Sequence, residues 1–358
     1  MANIYFRTDG NSNIAMGHIM RCLAIARACA KKGSNVKFIV SDRQSLTLIQ
    51  KSFTVPHEFE VYCLNSDYTT PTEELTALYA LFIQDKTAEN NSKPWIFVDS
   101  YYATPSYLLS LREHFRVAYL DDLRSFDCPV DLVINYDTDK DCDHYANADH
   151  KLLGVQYTPL REQFSTSSYT VRPTVEHVLL STGGTDPFAV AERLLHAIYH
   201  ESSGTAPIQD AQLLQSLHYH ILTSSANTRY DSLTSYARMH PNVHIHEGIP
   251  DVASLMASCD LAVSAGGTTL CELCAVGVPT ISYLMADNQR TAVETYAGLG
   301  LIPYAGDVRP ANNTVISSIL SFMTYMSQNL SLRAKSSQSM RAFLNGAGSD
   351  QIACALTS

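Results

Sequence analysis

The sequence predicts an α/β protein built from two doubly wound parallel-sheet domains. Short apolar runs, such as Asn3–Phe6 and Trp95–Val98, alternate with segments whose apolar residues recur at helical spacing. Polar residues follow many of these runs, as they do at the strand ends of a parallel sheet. A polar stretch from Ser165 to Pro173 interrupts the alternation, which then restarts. We therefore expect one domain over residues 1–166 and a second over residues 174–345.

The individual elements follow from periodicity and from residues that begin or end helices. The first helix is predicted to end at Gly33, a residue type common just after a helix. Asp186 and Pro187 suit the N-cap and the first position of a helix that starts at Phe188. The predicted strands cover residues 3–6, 35–41, 58–63, 95–98, 117–120, 132–135, 177–180, 218–223, 243–247, 261–264 and 278–283. The predicted helices cover residues 18–32, 45–52, 72–85, 105–114, 188–200, 230–239, 251–258 and 270–276, with one opening at 287–289 and a helical region over 315–343.

Composition narrows the class of protein. The chain has 358 residues, 46% of them hydrophobic and 17% charged, so it can bury sizeable cores. A net charge of −10 argues against a nucleic-acid-coating or membrane-surface protein, but helix N-termini could still bind an anionic small ligand. No apolar run approaches about 18 residues, and the N-terminus lacks the pattern of a signal peptide. Nine cysteines, including Cys271 and Cys274 within one helix, fit reduced thiols, so we expect a cytoplasmic protein.

The segment from Arg7 to Cys22 runs from the end of the first strand into the first helix. Open α/β sheets bind ligands at the carboxyl ends of their strands. His18 lies in the first helical turn, where the positive end of the helix favours a neutral imidazole that can accept a proton. We therefore take His18 as a general-base candidate, although an arbitrary histidine is more often a surface or capping residue. His244 and His246 alternate along a strand and fit surface or packing roles, and no His/Cys spacing predicts a metal site.

Two glycine pairs stand at strand-to-helix turns of the second domain, Gly183-Gly184 and Gly266-Gly267. Glycine lets backbone N–H groups approach a ligand, and the helix that follows presents its positive end, so such turns can bind phosphate without lysine. Neither turn matches the dinucleotide or P-loop fingerprints. Glu272 would lie about one turn inside the helix after the second pair. It could reach a ribose diol, or it could simply complement the helix dipole.

Seven motifs occur together and in order, and they are Arg7-x-Asp9, Ile14-x-x-Gly17-His18-x-x-Arg21-Cys22, Val98-Asp99-x-Tyr101, Leu160-Arg161-Glu162-x-Phe164, Gly183-Gly184-x-Asp186, Ser264-Ala265-Gly266-Gly267-Thr268-Thr269-x-x-Glu272 and Asp287-Asn288-Gln289. They resemble the UDP-2,4-diacetamido-2,4,6-trideoxy-β-L-altropyranose hydrolases of pseudaminic acid biosynthesis, over roughly residues 3–300. The second-domain motifs are shared with related glycosyltransferases such as the peptidoglycan GlcNAc transferase, and the Gly-His-x-x-Arg-Cys segment is the more specific part. The chain departs from the family at Ala15, where glycine is usual.

The resemblance implies a GT-B fold, in which two Rossmann-like domains face each other across a cleft, and hydrolysis of a UDP-sugar without metal or cofactor. By the same resemblance, His18 is the base that activates water and Tyr101 lines the sugar site, and we take both as catalytic. The implied substrate-positioning residues are Asp9, Gly17, Arg21, Asp99 and Arg161. The implied UDP site comprises Gly183, Gly184, Ile249 against uracil, Ala265, Gly266, Gly267, Thr268, Thr269, Glu272 at the ribose, Asn288 and Gln289.

Three other functions stay open at this stage. An inverting glycosyltransferase of the same fold would use His18 to deprotonate an acceptor hydroxyl instead of water. A hydrolysing UDP-sugar 2-epimerase would release a sugar inverted at C2. A non-catalytic binding protein would hold UDP without turnover. In each case the expected partner is a small UDP-sugar and not a nucleic acid or a membrane, and the sequence does not specify an oligomeric state.

Overall fold

The computed structural model describes residues 2–11, 14, 16–84, 93–138, 143–199, 211–310 and 313–358. Ala15 and the ends of two predicted helices, Asp85 and His200, lie outside these residues. The chain divides into two compact units, Met1–Glu162 with Ala347–Ser358 and Gln163–Gly346. The first unit thus includes a C-terminal segment that the linear division into 1–166 and 174–345 leaves out.

The first unit is a seven-stranded parallel sheet flanked by helices. Its order is β3-β2-β1-β4-β5-β6-β7, so the direction of winding reverses between the first and fourth strands. The sequence did not predict β7. The strands are β1 Asn3–Thr8, β2 Asn35–Val40, β3 Glu60–Cys63, β4 Trp95–Asp99, β5 Arg116–Leu120, β6 Leu132–Asn135 and β7 His150–Leu153. The helices are α1 Gly17–Lys31, α2 Arg43–Lys51, α3 Leu75–Gln84, α4 Pro105–Arg112, the short α5 Glu162–Ser165 at the boundary, and α14 Gly348–Thr357.

Alternating strand residues of this sheet build two apolar cores, one on each face. Phe6 packs with α1 and with Ile352 and Leu356 of α14 on one face. Tyr5, its neighbour in sequence, packs with Leu108 of α4 on the other face. Helix α1 is therefore clamped between the sheet and α14, and its first turn is held at the carboxyl end of β1.

The second unit is a six-stranded parallel sheet of order β10-β9-β8-β11-β12-β13, which reverses between β8 and β11. Its strands are β8 His177–Ser181, β9 His218–Leu222, β10 Val243–His246, β11 Leu261–Ala265, β12 Thr280–Leu284 and β13 Tyr304–Asp307. Its helices are α6 Val190–Tyr199, α7 Ala211–Ser216, α8 Tyr230–Met239, α9 Val252–Ser258, α10 Thr268–Val276, α11 Arg290–Gly298, α12 Thr314–Ser327 and α13 Leu330–Phe343. Both sheets thus have the reversal that marks a ligand site in open α/β folds.

The start of α6 differs from the prediction. The helix begins at Val190 and not at Phe188, because Asp186 and Ala189 adopt left-handed backbone conformations with φ of 39° and 51°. Asp186 still serves as a cap: its carboxylate accepts from the N–H groups of Val190 (2.9 Å) and Ala191 (3.0 Å). The carboxylate of Asp186 therefore caps the helix, but the predicted positions are wrong: Asp186 is not the N-cap residue and Pro187 is not the first helical residue, because the turn before the helix is longer.

Five histidines line one face of the second sheet, on β8, β9 and β10. His177 Nδ1 lies 2.9 Å from His220 Nε2, and His220 Nδ1 lies 3.0 Å from His246 Nε2. His218 Nδ1 lies 3.2 Å from His244 Nε2. Burial, together with these neighbouring imidazoles, lowers the pKa of His220 to about 4. His244 and His246, predicted as surface or packing residues, belong to this histidine array.

Candidate functional site

The first candidate site lies where the first sheet reverses, at the carboxyl ends of the paired strands β1 and β4. His18 stands in the first turn of α1, and Asp99 is the last residue of β4. His18 Nδ1 lies 2.5 Å from Asp99 Oδ1, with both side chains buried. Arg21 Nη2 also approaches Nδ1, at 3.0 Å, but the shorter contact is to a carboxylate that can only accept. We therefore assign the hydrogen to Nδ1, and in that tautomer Nε2 keeps a lone pair for an incoming proton.

Arg21 fixes the carboxylate on which His18 depends. It lies three residues after His18 on the same face of α1, and its Nε and Nη2 each donate to Asp99 at 2.6 Å. Burial alone would raise the pKa of Asp99, but the charge and hydrogen bonds of Arg21, together with His18, hold that pKa well below its usual range. Asp99 is therefore ionised near neutral pH. These two predicted substrate residues direct their polar groups at each other.

Arg21 is itself held from its far side. Its Nη1 donates to Asp122 Oδ2 and to the hydroxyl of Tyr136, each at 2.7 Å. Asp122 follows β5 and Tyr136 follows β6, so four neighbouring strand ends contribute to one cluster. Neither Tyr136 nor Asp122 is among the site residues predicted from the sequence, because nothing in their local spacing distinguishes them.

Tyr101 stands over His18. The two ring centroids lie 4.4 Å apart at an interplanar angle of 77°, and 44% of Tyr101 is exposed. Burial and the nearby Asp122 carboxylate raise the pKa of Tyr101, which keeps its hydroxyl protonated. That hydroxyl lies 3.4 Å from Asp122 Oδ2. Tyr101 thus covers the imidazole while presenting part of its ring to solvent.

A small cavity opens beside the imidazole. The volume available to the centre of a water molecule is about 10 Å³, close to the minimum that one ordered water needs. Two of its aromatic walls, Tyr68 and Tyr102, were not predicted as site residues, and their rings meet edge to face at 5.4 Å. Its lining residues are Asp9, Ile14, His18, Tyr68, Asp99, Ser100, Tyr101 and Tyr102.

Asp9 lies at this cavity but is engaged in a buried ion cluster. Its Oδ1 accepts from the backbone N–H and the hydroxyl of Ser41, at 2.7 and 2.8 Å, and its Oδ2 pairs with Arg7. Arg7 also donates to both carboxylate oxygens of Glu74, at 2.6 and 2.8 Å. Asp9 therefore anchors the start of the loop that leads to His18.

Gly17 and Arg161, also predicted to position substrate, differ from this group. Gly17 begins α1, and a Cβ added there would meet nothing within 4 Å. Arg161 is half-buried and is not among the residues that line the cavity. Their roles stay predictions.

The second candidate site lies where the second sheet reverses. Ser181 and Ser264 are register partners on β8 and β11, and each strand then enters a glycine pair. A Cβ on Gly266 would lie 2.4 Å from Val293 Cγ1, so this position requires glycine. Gly267 is the N-cap residue of α10 and provides no side-chain hydrogen bond to the first turn, although its carbonyl accepts from the N–H of Leu270 at 2.9 Å. Gly183, with φ of 78°, starts the neighbouring turn.

Gln289 meets the second glycine turn. It ends the short turn Asp287–Gln289 after β12, and its Oε1 accepts from the N–H of Met285 at 3.2 Å. Its Cβ would lie 3.1 Å from a Cβ on Gly266. The structure therefore brings together the predicted residues Gly266, Gly267 and Gln289.

The remaining predicted UDP residues surround this turn or lie further along the sheet edge. Ala265 is the buried last residue of β11, Thr268 is exposed and Asn288 is exposed. Thr269 and Glu272 are half-buried in the first turns of α10. Ile249 is half-buried after β10, at the edge of the sheet. Their contacts with a nucleotide stay predictions.

The described residues include no group of three or more His, Cys, Asp or Glu side chains that could hold a metal ion. Within those same ranges, no helix has both the length and the apolar character needed to cross a bilayer.

Comparison with known proteins bears on the fold. No family model matches the chain. Over 156 residues it is 24% identical to the spore coat polysaccharide biosynthesis protein SpsG of Bacillus subtilis, covering 44% of this chain and 42% of the relative. Over 114 residues it is 31% identical to the UDP-N-acetylglucosamine–N-acetylmuramyl-(pentapeptide) pyrophosphoryl-undecaprenol N-acetylglucosamine transferase of Exiguobacterium, covering 29% of this chain and 32% of the relative. The chain thus matches less than half the length of either curated relative.

Solved structures match over nearly the whole chain. MurG of Acinetobacter baumannii has a TM-score of 0.64 at 12% identity and covers 100% of this chain and 99% of its own. The glycotransferase of kitacinnamycin has a TM-score of 0.65 at 15% identity, covering 99% and 98%. The fold is GT-B. Its two Rossmann-like sheets, of seven and six parallel strands, confirm the predicted fold class.

Proposed function

We propose that this GT-B protein is an enzyme that cleaves a UDP-sugar at the anomeric carbon, with His18 as the base and water as the nucleophile. The observation that carries the proposal is the buried His18–Asp99 pair, which opens on a cavity of one-water size. A base held in one tautomer beside a site for water is the arrangement that general-base hydrolysis needs.

The proposed reaction is an inverting displacement. The oxygen of water forms a bond to the anomeric carbon, and one of its protons goes to His18 Nε2. The bond between that carbon and the diphosphate oxygen breaks, and its electron pair leaves with UDP. Asp99 accepts from Nδ1–H throughout and stabilises the imidazolium as it forms. The free sugar emerges with inverted anomeric configuration.

The second unit is proposed to bind the leaving group. A diphosphate is already a weak base, so it needs charge stabilisation more than a proton. The uncapped first turn of α10, entered through Gly266 and Gly267, offers backbone N–H groups and the positive end of a nine-residue helix. In the same proposal Glu272 binds the ribose, Ile249 lies against uracil, and Asn288 and Gln289 contact the diphosphate and sugar.

The choice of substrate rests on resemblance. The Gly17-His18-x-x-Arg21-Cys22 segment is similar to that of the UDP-2,4-diacetamido-2,4,6-trideoxy-β-L-altropyranose hydrolases, which makes this UDP-sugar the first substrate to test. UDP-N-acetylglucosamine is the second, because a curated relative is named as an N-acetylglucosamine transferase.

A glycosyltransferase is the second candidate function, and the comparisons favour it, since one curated relative and one of the two solved structures are named as transferases. In that case an acceptor hydroxyl would replace water at His18 Nε2.

The test is UDP release by the full chain from each of the two UDP-sugars, in ¹⁸O-labelled water and without any acceptor. We expect release of UDP with one labelled oxygen in the sugar and none in UDP, and NMR of the first product to show inversion. Release that requires an added acceptor would instead establish the transferase. A C2-inverted product would establish an epimerase, and UDP binding without turnover a binding protein.

A further inference from the structure

We propose that Asp122 is a positioning residue of the His18 centre, which acts through Arg21 and supplies the negative charge that favours proton uptake by His18. This inference rests on the proposed function of His18 as a base. It concerns a residue that does not touch the imidazole.

The contacts of Asp122 distinguish it from an ordinary turn residue. Its neighbour Asp121 accepts from the backbone N–H groups of Leu123 and Arg124, both at 3.0 Å, which is how an aspartate stabilises a turn. The contacts of Asp122 run to side chains of the site, to Arg21 at 2.7 Å and to the Tyr101 hydroxyl at 3.4 Å. Two adjacent aspartates therefore have separate tasks.

Arg21 connects Asp122 to the base. Two nitrogens of its planar guanidinium, Nε and Nη2, donate to Asp99. The remaining nitrogen, Nη1, donates to both Asp122 and Tyr136. The side chain of Arg21 is 12% exposed and that of Asp122 is 26% exposed, so the ion pair is partly shielded from water. Because the guanidinium is rigid, fixing Nη1 also fixes the orientation of the two nitrogens on Asp99.

The charge of the cluster supports the same role. With His18 neutral, Arg21 contributes one positive charge and Asp99 and Asp122 two negative charges, which leaves one net negative charge. Proton transfer to His18 brings this sum to zero. Without Asp122 the same transfer would take the cluster from zero to a net positive charge, which is less favourable. Asp122 therefore stabilises the imidazolium that forms during the reaction.

Other titratable groups also surround His18. They are the same in the wild type and in a variant changed only at Asp122, so a change in proton uptake by His18 between those two proteins is assigned to Asp122. Tyr101 covers the ring, and Asp9 lines the cavity while paired to Arg7. Within the described ranges, the titratable and charged groups named at or next to this site are Arg21 and Cys22 on α1, Arg7 and Asp9 at the end of β1, Tyr68 and Glu74 before α3, Asp99 and Tyr101 at β4, Asp122 after β5 and Tyr136 after β6.

Three variants separate charge from geometry. Asp122→Asn keeps an oxygen that can accept from Arg21 but removes the charge. Tyr136→Phe removes a neutral contact to the same nitrogen and keeps the charge. Asp149→Asn is the control, because it removes one negative charge from a surface ion pair with Arg112 just before β7, at the amino ends of the strands.

The experiment is an NMR titration of the His18 ring in each full-length variant, with the resonance assigned by its loss in His18→Leu. We expect the titration midpoint in Asp122→Asn to fall by about half a pH unit to one unit, and the other two variants to keep the wild-type midpoint. Initial rates of UDP release across pH 5–9 provide the second readout. The acidic limb of kcat/KM should move with the midpoint, and its plateau should fall roughly tenfold with little change in KM.

The outcomes separate the two proposals. A midpoint that does not move in folded Asp122→Asn overturns the role of Asp122, whether or not activity is lost. A midpoint that moves in a protein without turnover supports the role of Asp122 and contradicts the proposed function. Equal shifts in Asp122→Asn and Tyr136→Phe would mean that geometry alone is at work, which also overturns the charge argument.

Discussion

Both candidate sites lie at strand ends where a sheet reverses its winding, but one is built from charged side chains and the other from backbone. In the first unit, side chains with full charges converge on His18, and a side chain would fit at Gly17 without a clash. In the second unit, the turn at Gly266 is formed by backbone, and the space of a Cβ is already taken by Val293. A positioned side chain suits proton transfer, and backbone N–H groups at the start of a helix suit an anion. The comparison suggests that turnover and nucleotide affinity can be lost independently.

Removing the imidazole should give the largest difference between the effect on turnover and the effect on UDP affinity. We expect His18→Leu to lower turnover by roughly 10²- to 10⁴-fold, the range typical of a general base. UDP affinity should change less than twofold, because the proposed nucleotide residues belong to the other unit. Initial-rate assays and calorimetric titration with UDP measure the two effects. His150→Leu, at an exposed position at the start of β7, is the matched control. Retained turnover in His18→Leu would remove His18 from the mechanism.

Filling the space at Gly266 should give the converse result. We expect Gly266→Ala to weaken UDP binding by roughly tenfold, because the methyl group must displace Val293 or Gln289 at a cost of about 1–3 kcal/mol. Gly298→Ala is the control, since a Cβ there meets nothing within 4 Å. Calorimetry with UDP measures affinity, and thermal unfolding reports general damage. A destabilised Gly266→Ala with normal UDP affinity would contradict the proposed nucleotide site.

The smallest expected effect is a difference between the two units in the stability that each loses in acid. The folded-state pKa of His220 is about 4, against an ordinary value of 6.5, so the unfolded chain binds a proton that the native one does not between those pH values. The second unit should therefore lose stability as pH falls from 6.5 toward 4, by about 1 kcal/mol at pH 5 after allowance for solvent screening. The pKa of Asp99 is lowered, so its contribution to the first unit is lost only in stronger acid.

Hydrogen exchange at pH 7 and pH 5, corrected for intrinsic rates, distinguishes the two units peptide by peptide. Protection should fall in peptides from β8, β9 and β10 and persist in peptides from β1 and β4. The variant His220→Gln should reduce the difference between the two pH values. Equal losses in both units would show that the histidine array does not govern acid stability.

The sequence predicted these sites unequally, for physical reasons. Strand and helix periodicity is local, so both sheets and the glycine turns could be predicted from it. The position of His18 could be predicted for the same reason, since its place in a first helical turn is a local property. Its partner Asp99 is 81 residues away, and Arg7 and Glu74 are 67 residues apart, so these ion pairs exist only once the sheet orders its strands.

Two kinds of feature could not be predicted from local sequence patterns. One depends on the register between neighbouring strands, and the other on the C-terminal helix packing against the first unit. The histidine array arises because three strands align in parallel, and period-two spacing on β10 alone gives no sign of the neighbouring rows. The weak alternation of β7 and β13 hid two edge strands. Helix α14 has an ordinary amphipathic pattern, and nothing local indicates that it rejoins the first unit.

That return of α14 has a consequence for how the protein is made. Ile352 and Leu356 cover the helix that carries His18, yet they are translated after the whole of Gln163–Gly346. At about 5–20 residues per second, the ribosome needs roughly 10 to 40 s to synthesise that insertion. During this interval the nascent first unit exposes the apolar side of α1, and the His18 centre lacks its outer support. The first unit is thus the first to be synthesised, but its helix α1, which carries His18, is covered only after the second unit has been made.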